Sequence, residues 1–219
     1  MNTQDYILKK YNITVGTQYI IPICDMGRND MAKLFNELGY KVGVEVGVDK
    51  GEYSEILCKA NPDLRLFGVD PYQFTAYESI INPHDAGIHD SQKGFEGNYE
   101  AATARLTPYK NYRLIRSYSL DALKLFEDNS LDFVYIDANH DFPNFTNDLH
   151  QWLKKVKPGG IMSGHDYAPF SYRKHNHVMR ALDAYARCYR MIPLFIVGAD
   201  EYKEGTTRDK FRSWFWCKT

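Results

Sequence analysis

An α/β fold with a mostly parallel sheet, helices on both faces and an antiparallel last strand is predicted by three features of the chain. Strand-like and helix-like apolar patterns alternate along it, a glycine turn joins the first buried strand run to a helix, and the final two strand runs have no helix between them. Alternation calls for parallel strands joined by helical crossovers, whereas two consecutive strands make a hairpin and reverse one of them. A chain of 219 residues, 44% hydrophobic and 25% charged, is long enough to bury one large core.

The elements follow in order. Residues 1–30 are read as an N-terminal segment able to act as a lid, and 31–219 as a single domain. Asp30 is placed to cap a helix carrying Met31, Leu34, Phe35 and Leu38 and ending at Gly39. Val42, Val44 and Val46 mark the first buried strand, and Ser54, Ile56 and Leu57 belong to the next helix; Leu64 to Asp70 is the second strand. From Tyr72 to Asn98 the pattern is irregular, with Pro83, Gly87, Gly94 and Gly97, and it reads as an insertion of the kind that forms lids and binding loops; His84 and His89 within it have no metal-ligand spacing. A helix over Tyr99–Leu106, a strand at Tyr112–Ile115, a helix begun by Ser119 and a strand at Leu131–Asp137 come next. A helix with Phe145, Leu149, Trp152 and Leu153 ends at Lys157-Pro158-Gly159-Gly160; a fifth strand runs from Ile161 to Asp166, and a helix spans about Asn176 to Arg190. The runs Ile192–Val197 and Ser213–Lys218 make the closing pair, for seven strands in all.

Composition narrows the function. A net charge of −1 argues against a nucleic-acid polyanion as partner. Cys24, Cys58, Cys188 and Cys217 are too widely spaced for a C-x-x-C or zinc pattern, no apolar run reaches membrane-spanning length, and the start lacks a signal-peptide pattern. The chain therefore reads as a soluble cytoplasmic protein with neither a membrane nor nucleic acid as partner, and self-association is left open.

The most specific stretch is Val42-Gly43-Val44-Glu45-Val46-Gly47-Val48-Asp49-Lys50-Gly51. Gly47 and Gly51 let the backbone turn tightly and approach a ligand, and Glu45, a carboxylate in an apolar run, needs a partner that a cationic or hydroxyl-rich ligand would supply. The second strand also ends in an acid, Asp70, at the distance along the chain where a carboxylate reaches ribose hydroxyls in doubly wound sheets. A dinucleotide is disfavoured, because Asp49 puts a negative charge where a pyrophosphate would pass.

Glu45-x-Gly47-x-x-x-Gly51 followed by Asp70 resembles motif I and the second-strand acid of the class I S-adenosylmethionine-dependent methyltransferases, many of which carry a further glycine where this chain has Asp49. The resemblance extends from about residue 30 to the end and implies their Rossmann-like fold. It also implies cofactor contacts at Glu45, Gly47, Gly51, Asp70, Tyr118, Ser119 and Asp137, with the Ser117-Tyr118-Ser119 turn near the adenine.

Two later segments, Ile136-Asp137-Ala138-Asn139-His140-Asp141 and Gly164-His165-Asp166-Tyr167, leave neighbouring strands at the carboxyl edge, on the same crevice as the glycine turn. Asp137, His140, His165 and Asp166 can converge there as a divalent-metal set or, individually, serve as loop caps and polar rim residues. The same segments resemble the metal-dependent O-methyltransferases of small molecules and sugars. By position, Asp137, His165 and Asp166 become ligands of Mg2+ or another divalent cation, and His140 becomes the base; His165 stands where an acid is usual. The implied reaction is methyl transfer from S-adenosylmethionine to a hydroxyl of a small molecule or carbohydrate. Two other classes stay open: a metal-dependent hydrolase using the same cluster, and a non-catalytic binding protein on the cofactor fold.

Overall fold

The computed structural model describes residues 2–73, 92–169, 176–201, 203–208 and 211–219. Among these residues eight strands form one sheet: β1 (Ile20–Ile23), β2 (Val42–Val46), β3 (Arg65–Asp70), β4 (Tyr112–Arg116), β5 (Leu131–Ile136), β6 (Val156–Tyr167), β7 (Leu194–Val197) and β8 (Arg212–Cys217). Their spatial order is β1-β7-β8-β6-β5-β2-β3-β4, and β8 alone runs antiparallel to its neighbours. The reversed closing strand is where the missing helix put it. The order changes direction at β2 and β5, so their carboxyl ends open a crevice between crossovers that leave on opposite sides.

The sheet has one strand more than the sequence suggested. β1 pairs in parallel with β7, Ile20 opposite Leu194 and Ile23 opposite Val197. Its four residues include Pro22, which cannot donate to a ladder, and the run lies at the sheet edge where that loss is tolerated. So short a strand carries too few alternations to register as a pattern.

The helices are α1 (Thr3–Lys10), α2 (Arg28–Glu37), α3 (Glu52–Ala60), α4 (Gln92–Leu106), α5 (Ser119–Ala122), α6 (Phe142–Lys155) and α7 (Val178–Tyr189); α5 continues into a 3-10 turn at Leu123–Leu125. α2 is capped at Gly27, not at Asp30: Asp30 sits three residues in and accepts the Gly27 N–H at 3.0 Å, the reciprocal half of a capping box. α4 begins at Gln92, inside the stretch read as irregular. Gly94 and Gly97 weaken it locally, but Gln92 Nε2 donates to Tyr72 O at 3.0 Å, Glu96 pairs with Arg116, and the Arg116 guanidinium lies 4.6 Å from the Tyr99 ring centroid. These tethers come from distant segments, so the local pattern does not carry them. The rest of the expected insertion, with His84 and His89, lies outside the described residues. Lys157 to Gly160 follow the end of α6 as expected, yet already belong to β6, whose pairing with β5 shifts register between Leu131 and Phe133.

Alternation along the strands sends side chains to two cores. Val44, Val46, Val134, Ile136, Met162, Trp214 and Trp216 pack with Phe145, Leu149 and Trp152 of α6 and Leu182 of α7. Phe133, Tyr135, Ile161, Phe195 and Phe215 pack on the other face with Ile7, Met31, Phe35, Tyr53 and Leu57 of α1 to α3. Each fully buried large apolar side chain contributes about 1.5–3 kcal/mol, so the sheet centre is the rigid platform from which the strand ends project. No helix among the described residues is long and apolar enough to cross a membrane.

Candidate active site

The glycine turn closes against the end of β5. Gly47 has φ +90°, and a Cβ there would stand 2.0 Å from Asp137 O, so only glycine lets the two strand ends meet. The Asp137 N–H donates to Val46 O at 2.7 Å and the Gly47 N–H to Val69 O at 2.9 Å, tying the ends of β2, β3 and β5 together. Gly51, φ +75°, enters α3 facing Leu106. Asp49, where a glycine was expected by analogy, takes a left-handed φ of +49°. Aspartate is among the residues that tolerate that region, and here Asn98 Nδ2 donates to Asp49 Oδ1 at 2.6 Å and the Tyr72 hydroxyl to Asp49 O at 2.9 Å.

Asp70 stands over this turn. Its Oδ2 accepts the N–H groups of Val48 (2.9 Å) and Asp49 (3.1 Å) and its Oδ1 that of Tyr72 (2.9 Å). Burial raises its pKa, against those N–H donors. The Ser117 N–H donates to Asp70 O at 3.2 Å, which brings the Ser117-Tyr118-Ser119 turn alongside. Tyr118 is 42% exposed there. Ser119 faces inward: its hydroxyl donates to Asp148 Oδ1 at 2.5 Å and accepts Trp152 Nε1–H at 2.7 Å, anchoring α5 to α6.

Glu45 finds its partner within the chain. It is 1% exposed, and the Ser54 hydroxyl donates to its Oε2. Burial pushes its pKa up to about 8, with the Ser54 hydrogen bond and the nearby Arg28 charge opposing.

At the ends of β5 and β6 the four titratable residues come together. His140 Nε2 is 3.0 Å from Asp166 Oδ2 and 3.8 Å from Asp137 Oδ1; His165 Nδ1 is 3.2 Å from Asp166 Oδ2 and 3.9 Å from Asp137 Oδ1. Backbone geometry aims them. Asp166 has a left-handed φ of +63°, and its carbonyl is held by Asn176 Nδ2 and the Ala168 N–H. His140 O accepts the His177 N–H at 2.8 Å, and His165 O accepts Trp214 Nε1–H at 2.9 Å.

Arg28 is the member that pattern reading missed. From the first residue of α2 its Nη2 donates to Asp137 Oδ2 at 2.6 Å, and its guanidinium lies 4.1 Å from the Tyr53 ring centroid and 5.2 Å from that of Tyr135. Burial opposes its charge, but Tyr135, Asp137, Tyr53 and Glu45 outweigh burial and raise its pKa. The only signal was a lone basic residue in the first turn of a helix, where the macrodipole disfavours a cation unless an acid answers it.

Burial would lower the His140 pKa, but Asp137 and Asp166 overcome it and push it up to about 10; burial likewise opposes the Asp166 charge, and His140 and His165 hold its carboxyl well below the usual range. Among the described residues, His140 Nε2 is buried without hydrogen-bond geometry to any partner, despite the short distance to Asp166. Donor atoms of Asp137, His140 and Asp166 all lie within 4.8 Å of one another, which fits a divalent cation. Open depressions of about 320 Å3 beside Thr14 and Gln18 and about 190 Å3 beside Tyr99 and Tyr109 include none of these residues. Convergent chemistry, rather than cavity size, locates the site.

Residues 44–167 match the model of a family described as a methyltransferase domain. An 80-residue stretch is 30% identical to the uncharacterized protein y4gI of Sinorhizobium fredii, covering 35% of this chain and 9% of that protein's length. Among solved structures, similarity extends to the O-methyltransferase TomG from Streptomyces achromogenes, involved in tomaymycin synthesis and in complex with SAM: TM-score 0.54, 15% identity, 97% of this chain and 86% of that one. An O-methyltransferase from Bacillus cereus in complex with SAH gives TM-score 0.55 at 14% identity, covering 99% and 90%.

Proposed function

The chain belongs to the methyltransferase-domain family, and from that premise we propose that it transfers methyl from S-adenosylmethionine to a hydroxyl of a small molecule or sugar, assisted by a divalent cation. The observation that carries this reading is the convergence of Asp137, His140, His165 and Asp166 beside the Gly47 turn. The acceptor class rests further on the structurally similar O-methyltransferases.

S-adenosylmethionine supplies a methyl group on a cationic sulfonium. The chain's task is to hold an acceptor oxygen in line with that methyl and keep the oxygen nucleophilic. Gly47 and Gly51 let the turn close against Asp137 and Leu106, where a Cβ would clash, and Asp70 fixes the turn through Val48 and Asp49 while offering its remaining acceptor capacity to a ribose. Tyr118 offers an exposed ring beside the Asp70 strand end, placed to cover an adenine. Asp137 and Asp166, with an imidazole, would hold the cation, which would supply positive charge beside the acceptor oxygen. Arg28 keeps Asp137 Oδ2 engaged, so Oδ1 is the oxygen turned to the cluster.

The test is incubation with methyl-labelled S-adenosylmethionine and a panel of phenols, sugars and amines, with and without a chelator. The reading expects labelled methyl ethers and a rate that chelation abolishes. Labelled amines with no labelled ether would overturn the acceptor class, full activity in chelator the cation. Ion binding without donor binding would favour a hydrolase.

A further inference from the structure

Resting on the cation-assisted reading above, we infer that His140, and not His165, completes the cation site with Asp137 and Asp166, and that the resulting one-imidazole, two-carboxylate set selects a transition ion, Co2+ before Mn2+, over Mg2+. The resemblance to metal-dependent O-methyltransferases had given the ligand role to His165 and the base role to His140. The geometry points instead to His140 as ligand and His165 as the residue that orients Asp166.

Among the described residues, His140 Nε2 is buried with no hydrogen-bond partner while facing both carboxylates, at 3.0 Å from Asp166 Oδ2 and 3.8 Å from Asp137 Oδ1. Two donors sharing one ion at about 2.1 Å lie about 3.0–4.2 Å apart, so these separations are compatible with two ligands of one ion. The three donors form one compact group, and His165 is not part of it. His165 is engaged otherwise: its Nδ1 makes a hydrogen bond to Asp166 Oδ2 at 3.2 Å. A carboxylate only accepts, so Nδ1 carries the proton there and cannot offer a lone pair to an ion. His165 is therefore a positioning residue that orients Asp166, the part a hydrogen-bonding neighbour plays for a ligating carboxylate.

Ion preference follows from the donor set. Imidazole is a poor ligand for the hard, strongly hydrated Mg2+ and a good one for later divalent ions. Replacing the oxygen donor usual at such a site by a nitrogen shifts the preference without changing the number of carboxylates.

The experiment is calorimetric titration of the full chain with MgCl2, MnCl2 and CoCl2, pulsed electron paramagnetic resonance of the Mn2+ complex, and a parallel titration with S-adenosylmethionine. Expected are Co2+ and Mn2+ binding at least about tenfold tighter than Mg2+, and nitrogen coupling to Mn2+ in the wild type. His140→Ala should abolish the nitrogen coupling and lower Co2+ affinity by about tenfold or more, whereas His165→Ala should keep the coupling even if affinity falls. Should His140→Ala fail to fold, His140→Gln and 15N-histidine labelling of the wild type carry the same test. Coupling lost in His165→Ala but kept in His140→Ala, no nitrogen coupling in the wild type, Mg2+ bound as tightly as Mn2+, or no ion bound would each overturn the inference. Donor binding in the same samples separates that failure from failure of the methyltransferase reading.

Discussion

Arg28 Nη2 and Asp137 Oδ2 meet at 2.6 Å, joining the start of α2 to the end of β5 across 109 positions of sequence. With the guanidinium over Tyr53 and Tyr135, this pair pins the N-terminal part of the chain to the strand end that carries the cluster. Arg28→Ala should destabilise the fold by about 1–3 kcal/mol, since it leaves a mostly buried Asp137 oxygen without its donor. Arg28→Lys should recover only part of that, because an ammonium neither forks nor stacks as guanidinium does. Urea melts of the three proteins check this; equal midpoints would show that the pair is not structural.

Gly47→Ala should cost about 2 kcal/mol or more, through the φ of +90° and the contact with Asp137 O, and should lower the yield of folded protein. Thermal melting is the readout. An unchanged midpoint would mean that the β2 and β5 ends are further apart than described.

Glu45 gives the protein a distinctive pH dependence. Its folded pKa of about 8 lies above the ordinary carboxylate value, so the folded state binds the extra proton between them. Its contribution is fully present below the unfolded pKa and is lost as pH rises through the folded one, by at most about 1.4 kcal/mol per pH unit. Glu45→Gln should flatten the decline in stability from about pH 5 to pH 8 relative to wild type. Parallel slopes for the two proteins would show that Glu45 ionises normally.

Tyr118 and Ser119 should separate binding from folding. Ser119→Ala leaves Asp148 and Trp152 Nε1 without their shared hydroxyl and should cost about 1–3 kcal/mol. Tyr118→Ala, at an exposed ring, should leave the melt within about 0.5 kcal/mol of wild type but weaken donor binding. If Tyr118→Ala binds the donor as wild type does, the adenine does not lie on this turn.

The parts of this site that could be read from the chain are those that local pattern records. Val42 to Gly51 and the acids Asp70, Asp137 and Asp166 stand at strand ends, and a strand end is visible wherever an apolar run stops. β1 was too short to show, and α4 through Gln92–Asn98 is held by Arg116 and Tyr72, contacts that a propensity argument does not contain. Arg28 escaped for the same reason: its meaning depends on Asp137 and two tyrosines brought to it by the fold. Ser54 as the partner of Glu45 was within reach, since residues at the end of a strand and in the first turn of the next helix face each other across a tight glycine turn. The proposed ligand role of His140 was not, because it turns on which nitrogen faces which oxygen.

The measurement that bears most directly on the account is calorimetric titration of the wild-type chain with S-adenosylmethionine and with S-adenosylhomocysteine. The account expects saturable binding of one molecule of either per chain, in competition with each other, weakened by Asp70→Ala in a protein that still melts cooperatively. Absence of heat or saturation with both ligands, from a folded sample, would contradict it.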